Sequence, residues 1–118
     1  NGFIDNPYPI IKNSDYFILF PEYEGFGNVY LESLVLKTPV ITWKAPCGPS
    51  EILEYGKSGL LLNYKSSSKV NSRLILRYIQ NLELKRKQLK NSVNHIKKFR
   101  KEKTINIFNR TYIKYNKR

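Results

Sequence analysis

Two glutamates, Glu24 and Glu32, stand in an E-x7-E arrangement beside two glycines, Gly25 and Gly27. A carboxylate accepts hydrogen bonds from two neighbouring hydroxyls at once, so both side chains suit the hydroxyls of a sugar or a ribose. The spacing leaves a structural alternative open, in which the Glu32 carboxylate only interacts with the helix dipole and Glu24 is solvated. The stretch therefore predicts a site for a polyhydroxylated ligand, provided that the flanking elements hold the two carboxylates in place.

The segments on either side of these glutamates predict a strand, a glycine-containing loop and a helix. Upstream, the apolar run at residues 16–20 is typical of a strand buried on both faces. Downstream, Asn28 is the predicted N-cap of a helix. The predicted apolar face of that helix consists of Leu31, Leu34, Val35 and Leu36. Backbone N–H groups at a helix N-terminus attract anions, so phosphate is the expected ligand of this loop.

The sequence that follows predicts an α/β fold. Residues 39–43 and 60–63 indicate a second and a third strand, so the first helix joins parallel strands in a right-handed βαβ unit. Ligands of such sheets collect at the carboxyl ends of the strands, which brings the loops at 20–27 and 42–48 to one edge. We therefore expect a partial Rossmann-like, doubly wound parallel sheet with a helical C-terminal tail.

The second of these loops contains further candidate residues. Gly48 is the predicted N-cap and Pro49 the first residue of a short helix, which puts Glu51 in its first turn. Glu51 is interpreted as a capping residue, with direct ligand binding as the alternative. Trp43 and Cys47 are interpreted as wall and packing residues, because a nucleophilic cysteine would need a histidine nearby.

The C-terminal half predicts amphipathic helices. The first begins at residues 66–68 and the second continues to about residue 101, and the tail from Thr104 repeats the pattern. The predicted inward residues of the first helix are Val70, Leu74, Ile75, Tyr78, Ile79 and Leu82. Those of the second are Leu89, Val93, Ile96 and Phe99.

Charge divides the chain into two regions. Residues 1–64, the α/β motif region, carry four Lys or Arg against seven acidic side chains, whereas residues 65–118, the basic helical region, carry 17 against two. The basic region indicates an anionic partner, either acidic lipid or nucleic acid, or else a solvated helix surface. Nucleic acid is the least favoured of these, because the basic residues lie on ordinary amphipathic helices.

Cysteine usage and hydropathy indicate the compartment. The single Cys47 excludes an internal disulfide, and the sequence contains no Cys/His cluster suited to zinc. No apolar run approaches the roughly 20 residues that span a bilayer. We expect a cytoplasmic protein, with peripheral binding to the inner face of the plasma membrane as an extension of that expectation.

In their order, these motifs resemble the C-terminal, nucleotide-sugar-binding part of a retaining GT-B glycosyltransferase of family 4 (glycosyl transferases group 1). The family pattern runs from "E-G-F-G-x-x-x-x-E" through "P-V" and "G-x-x-E-I" to "G-x-x-G-L-L". The chain matches it at residues 24–27, 32, 38–40, 48–52 and 56–61. It departs from it at Ser33 and Lys37, where the family usually has Ala and Gly.

The resemblance implies binding of a nucleotide-diphosphate sugar, for which we expect UDP-hexose or UDP-N-acetylhexosamine. It implies that Glu24 is catalytic and contacts the donor sugar, and that Glu32 holds the ribose. The implied donor-binding residues are Glu24, Gly25, Phe26, Gly27, Asn28, Val29, Tyr30 and Glu32, with Gly48 and Glu51 as further candidates. No metal and no other cofactor is expected, because helix N–H groups can neutralise the departing diphosphate.

The same resemblance implies sugar transfer to a saccharide or lipid-linked acceptor with retention, as in polysaccharide biosynthesis. It assigns residues 1–118 to the C-terminal part of the nucleotide-sugar-binding domain and implies a missing N-terminal GT-B domain. We therefore expect the 118-residue chain alone to be inactive. Two alternatives remain open, a non-catalytic nucleotide-sugar-binding module or truncated enzyme and a GT-B sugar-nucleotide epimerase.

Overall fold

The computed structural model describes residues 4–23 and 25–100. In chain order the elements are α1 (Tyr8–Lys12), β1 (Phe17–Leu19), α2 (Asn28–Val35), β2 (Val40–Trp43), α3 (Pro49–Ile52), β3 (Leu60–Leu62), α4 (Ser68–Gln80) and α5 (Leu82–His95). Short 3-10 turns follow α3 at Glu54–Gly56 and α5 at Ile96–Phe99. The predicted helical tail from Thr104 lies outside the described residues.

The strands form one parallel sheet in the order β1-β2-β3. Phe17 lies opposite Val40 at the start of the first pair, and Ile41 lies opposite Leu60 at the start of the second. Successive residues of a strand point to opposite faces, so Val40 packs with α2 and α3 while Ile41 packs with α4. Helices thus cover both faces, which confirms the expected α/β fold with a doubly wound parallel sheet.

Helix α2 is fixed to the sheet by a fully buried pair of side chains. Tyr30 and Leu34 are enclosed between α2 and the first face of the sheet. The Tyr30 hydroxyl and the Thr42 Oγ1 atom are 3.2 Å apart in a hydrogen bond, which satisfies both polar groups inside the core. The position of the start of α2 is therefore set by packing as well as by the preceding loop.

The second face of the sheet is covered less completely. Tyr78 of α4 is buried and Ile75 is half-buried over β2 and β3, with Tyr16 beside them. Ile18 of β1 points to this face and remains 49% exposed, so the prediction of a strand buried on both faces is wrong in the described structure. The reason is that α4 packs over the two other strands and does not extend over Ile18.

Helix α4 begins where the sequence predicts and buries a narrower stripe than predicted. The Ser67 hydroxyl caps the helix by accepting a hydrogen bond from the Val70 N–H. Of the predicted inward residues of this helix, Val70, Leu74 and Ile79 are exposed in α4, and Leu82 is exposed as the first residue of α5. A three-stranded sheet offers a narrow surface, so only the centre of the apolar face finds a partner.

The start of α2 differs from the prediction. Gly27 is the N-cap and Asn28 is the first helical residue, so the prediction of Asn28 as the N-cap is wrong. Gly27 has φ 74° and ψ 65°, in the left-handed region that favours glycine. The chain therefore makes its sharp turn into the helix at Gly27.

The end of α2 forms a Schellman motif with a lysine at its left-handed position. The Lys37 N–H donates to the Leu34 carbonyl at 3.0 Å, and the Thr38 N–H donates to the Ser33 carbonyl at 2.9 Å. Lys37 has φ 62°, a conformation in which a side chain is strained and glycine is not. Val35, predicted to face inward, is 62% exposed, because the buried stripe ends at Leu34.

We expect Lys37→Gly to stabilise the protein. The left-handed conformation costs a non-glycine residue about 1–2 kcal/mol, and the greater freedom of glycine in the unfolded chain offsets part of the gain. The free energy of unfolding should rise by about 0.5–1 kcal/mol in urea denaturation. Lys37→Ala removes the same charge and keeps the Cβ, so it should bring no gain. An equal gain in both variants would show that charge, and not backbone strain, is responsible.

Helix α5 turns polar residues toward the rest of the protein. Gln88 and His95 are buried, whereas Val93 is exposed, so the prediction of Val93 as an inward residue is wrong. The Gln88 amide Nε2 donates to the carbonyls of Gly56 at 2.8 Å and Gly59 at 3.1 Å. These loop carbonyls require donors that an apolar helix face cannot supply. Leu89, Ile96 and Phe99 are half-buried.

Tyr78 contains a buried hydroxyl that finds no hydrogen-bond partner among the described residues. Burial, followed by the proximity of Tyr16, raises the pKa of Tyr78 above its ordinary value of 10.0. Tyr78→Phe removes the unsatisfied group and should raise the free energy of unfolding by about 1 kcal/mol.

The same residue predicts a pH effect. Because the folded pKa is the higher one, the unfolded state loses the Tyr78 proton first as the pH rises through about 10, so stability falls there. Denaturation of both forms between pH 8 and roughly pH 11 should therefore show a steeper decline for the wild type. Parallel curves would contradict the assignment.

Candidate functional site

The loops that follow β1 and β2 meet at one edge of the sheet. Gly48, with φ 64° and ψ −104°, lies with its Cα directly against the backbone carbonyl of Gly25. A Cβ on Gly48 would collide with that carbonyl oxygen and would lie 3.2 Å from the carbonyl oxygen of Phe26. The two glycine loops are therefore in direct contact, at the sheet edge to which the sequence assigns both of them.

The N-terminus of α2 opens from this contact. Within the described residues, the N–H groups of Asn28 and Val29 donate no hydrogen bond, whereas the Tyr30 N–H donates to the Gly27 carbonyl at 3.0 Å. The Tyr30 side chain is enclosed in the core. The groups at this end of the helix that are available to an anion are therefore the amides of Asn28 and Val29.

Of the two predicted carboxylates, the structure describes one. Glu32 lies one turn inside α2 and is half-buried, and its carboxylate makes no ion pair or hydrogen bond with a described residue. Glu24, predicted to be catalytic, lies outside the described residues. Its role and its distance from Glu32 remain predictions.

The remaining predicted residues flank the helix start. Gly25 and Phe26 are exposed, and the Phe26 ring packs against Phe99 with 5.6 Å between ring centroids. Glu51 is exposed in the first turn of α3. Cys47, predicted to be a packing residue, is exposed as well, because the loop before Gly48 turns it outward.

His95 joins the C-terminal helix to this region, and sequence reasoning missed it. Its Nε2 atom lies 2.8 Å from the Glu51 carbonyl, which can only accept, so Nε2 carries the proton. The Nδ1 atom lies 3.8 Å from a carboxylate oxygen of Glu54. The imidazole also packs edge-on against Phe99, with 5.4 Å between centroids. The ring contacts from His95 to Phe99 and from Phe99 to Phe26 thus connect the C-terminal end of α5 to the loop that precedes α2.

Two general features of the described residues bear on cofactors and membranes. No group of three or more His, Cys, Asp or Glu side chains in residues 4–23 and 25–100 is arranged to hold a metal ion. No helix in that part of the chain is long and apolar enough to cross a bilayer.

Comparison with known proteins identifies the family and a relative of this chain. The family model described as "Glycosyl transferases group 1" matches residues 2–107. An uncharacterized glycosyltransferase of Methanocaldococcus jannaschii is 30% identical over 132 aligned residues, which cover 88% of this chain and 32% of the relative. The chain therefore spans about a third of the length of that curated relative.

Proposed function

Because the chain belongs to the glycosyl transferases group 1 family, we propose that it is the nucleotide-sugar-binding part of a retaining GT-B enzyme of family 4. The proposed donor is UDP-hexose or UDP-N-acetylhexosamine. The proposed acceptor is a hydroxyl group of a saccharide or of a lipid-linked precursor. We propose that the other GT-B domain binds this acceptor.

The observation that carries this proposal is the start of α2. The Asn28 and Val29 amides are unpaired within the described residues and stand at the positive end of the helix dipole. Gly48 and Gly25 carry no side chain, and their backbone contact brings the loop before α3 against the loop that precedes α2. Glu32, half-buried one turn further along, is suited to the ribose hydroxyls.

These groups act on the charge that develops during transfer. As the bond between the anomeric carbon and the diphosphate oxygen breaks, negative charge grows on the leaving diphosphate and the amides of Asn28 and Val29 stabilise it. The acceptor oxygen forms the new bond to the same carbon, and its proton passes to the departing diphosphate. We propose that Glu24 contacts the sugar hydroxyls and that no metal ion is needed.

Calorimetric titration of the 118-residue chain with UDP, UMP and uridine tests this proposal. We expect saturable binding of UDP, at least about tenfold weaker binding of uridine, and the same UDP affinity with a chelator as with Mg²⁺. Equal affinity for UDP and uridine would exclude a diphosphate site at α2. Loss of UDP binding on chelation would exclude the metal-free arrangement.

A second part of the proposal concerns the membrane surface. Lys69, Arg73 and Arg77 follow one another at every fourth position on α4, and all three are exposed. The apolar side chains of Val70 and Leu74 are exposed beside them. A surface with this mixture of groups suits acidic lipid, and we propose that it holds the protein on the cytoplasmic face of the plasma membrane.

Flotation with acidic and neutral liposomes tests this surface. Each basic side chain near acidic lipid contributes about 1 kcal/mol, so changing Lys69, Arg73 and Arg77 to Gln should lower partitioning by about two orders of magnitude. The matched control changes Lys12, Lys37 and Lys57 to Gln and should retain binding. These three lysines are exposed and belong to the α/β motif region. Equal recovery with both kinds of lipid would contradict the proposal.

A further inference from the structure

The C-terminal end of α5 lies against the short loop that leads into α2. We call residues 25–27 the entry loop, because its last residue, Gly27, is the N-cap of α2. Between its two glycines the entry loop has one side chain, Phe26, whose ring packs on Phe99 with 5.6 Å between centroids and 58° between planes. Phe99 also packs against the core cluster that contains Tyr30 of α2. Phe99 thus contacts both the core beneath α2 and the loop before it.

The entry loop determines where the proposed anion site lies. Asn28 and Val29, whose amides form that site, directly follow Gly27. A glycine has no side chain to pack, and Gly27 is in the left-handed region, so neighbouring contacts must fix its position. Those contacts are the packing of the Phe26 ring and the backbone contact with Gly48. A displacement of the entry loop therefore moves the two amides with it.

One buried side chain, His95, connects both contacts. It is 7% exposed, and its ring packs edge-on against Phe99 with 5.4 Å between centroids. Its Nε2–H donates to the carbonyl of Glu51 in α3 at 2.8 Å, and α3 begins directly after Gly48. His95 therefore contacts both Phe99 and α3, the two parts of the protein against which the entry loop packs.

We propose that His95 is a positioning residue for the diphosphate, an inference that rests on the proposed function. It holds Phe99 and α3 in place, and through them the entry loop, so that the Asn28 and Val29 amides are aimed at the diphosphate before it binds. Donors that are already in position stabilise an anion better than donors that must be ordered on binding, and a displacement of about 1 Å weakens such a site. The imidazole itself is enclosed and acts through its neighbours.

Calorimetric titration with UDP and uridine tests the role of His95. His95→Leu fills the space with an apolar side chain and removes both the ring and the donor, so UDP affinity should fall by about tenfold. Uridine affinity should not change, because uridine lacks the diphosphate that the two amides bind. His95→Gln restores an N–H donor close to the position of Nε2 and should recover part of the UDP affinity. Equal losses for UDP and uridine, or no loss for either, would overturn the inference.

Gln88→Leu is the matched control. Gln88 is a buried polar residue of the same helix, and it donates to two loop carbonyls outside the entry loop. Gln88→Leu should lower the free energy of unfolding as His95→Leu does and should leave UDP affinity unchanged. A loss of UDP affinity as large in Gln88→Leu as in His95→Leu would show that general destabilisation is responsible and would overturn the inference.

Amide NMR spectra of the unliganded 118-residue chain test the inference without UDP. The signals of Asn28 and Val29 should shift in His95→Leu and in Phe99→Leu, shift less in His95→Gln and stay in place in Gln88→Leu. Phe99→Leu is a mild change at a half-buried position, so it provides the test if His95→Leu does not fold. Unmoved signals in Phe99→Leu and in every folded His95 variant would overturn the inference.

The two measurements separate this inference from the proposed function. Failure of the wild type to bind UDP refutes the proposed function, and displaced Asn28 and Val29 signals would then still establish that His95 positions the entry loop. UDP binding by the wild type together with unmoved signals in the variants refutes the positioning role and leaves the proposed function standing.

Discussion

Replacing Gly48 with alanine is expected to lower the free energy of unfolding by about 3 kcal/mol and to abolish measurable UDP binding. The new Cβ would collide with the carbonyl oxygen of Gly25 and would lie 3.2 Å from that of Phe26. Both contacts are with backbone, which cannot rotate away as a side chain can. The two glycine loops must therefore separate, and the amides at the start of α2 move with them.

The backbone conformation of Gly48 adds to this effect. At φ 64° and ψ −104° the residue has a conformation that side chains rarely adopt. Gly56 separates the two contributions, because it has φ 97° and a Cβ added there would meet nothing within 4 Å beyond its chain neighbours. Gly56→Ala should show a smaller loss of about 1–2 kcal/mol and unchanged UDP affinity.

Urea denaturation and UDP calorimetry of Gly48→Ala and Gly56→Ala form the complete test. Equal loss of stability in the two variants would mean that backbone conformation alone matters and that the collision with Gly25 is relieved at little cost in free energy. Wild-type UDP affinity in Gly48→Ala would mean that the contact between the loops does not position the anion site.

The strands are the part of this fold that the sequence predicts best. Each predicted strand matches an observed one to within a residue or so at each end, because short apolar runs bounded by Pro, Gly and Asp leave little choice. The exposure of Ile18 could not be predicted in this way. It depends on how far α4 extends across the sheet, which is a tertiary property.

Helix α5 shows the limit of apolar periodicity more clearly. The apolar pattern predicts the helix correctly and its buried face only in part. Val93 is exposed, and Gln88 and His95 face inward and bond to loop carbonyls. The bond from His95 reaches Glu51, 44 residues earlier in the chain. No local pattern contains that information, so apolar periodicity does not identify these polar residues as buried.

The candidate site is predictable in part for a similar reason. Parallel topology alone brings the loops of Gly25 and Gly48 to one edge, and their contact follows from it. The cleft that Trp43 lines at the carboxyl ends of the strands needs in addition the stacking of Phe20 on Trp43 and the position of Tyr64 after β3. Sequence reasoning therefore identifies Trp43 as a wall residue without identifying what it encloses.

Replacing Glu32 with alanine is expected to weaken UDP binding by about 1.5–3 kcal/mol, which is roughly tenfold to more than a hundredfold. The carboxylate is half-buried and makes no bond with a described residue, so it is available to a ribose. As a helix-dipole partner it would contribute only about 0.3–1 kcal/mol to stability. Loss of the ribose contact would lower UDP affinity, whereas loss of the helix-dipole interaction would lower only the free energy of unfolding.

Glu83 is the matched control for the dipole role. It lies in the first turn of α5 and is exposed. Glu83→Ala and Glu32→Ala should lower the free energy of unfolding by similar small amounts, and only Glu32→Ala should lower UDP affinity. If both leave the affinity unchanged, Glu32 has a structural role alone.

A double-mutant cycle with 2′-deoxy-UDP identifies the group that Glu32 contacts. If the carboxylate accepts a hydrogen bond from the ribose 2′-hydroxyl, the wild type should lose affinity for the deoxy ligand and Glu32→Ala should bind both ligands equally. Glu32→Gln keeps the shape and one acceptor oxygen, so it should retain part of the discrimination. An identical loss of affinity for UDP and 2′-deoxy-UDP on substitution would show that Glu32 acts on another part of the ligand. In that case the contact with the 2′-hydroxyl is refuted, while the diphosphate site at Asn28 and Val29 remains open to the UDP and uridine comparison.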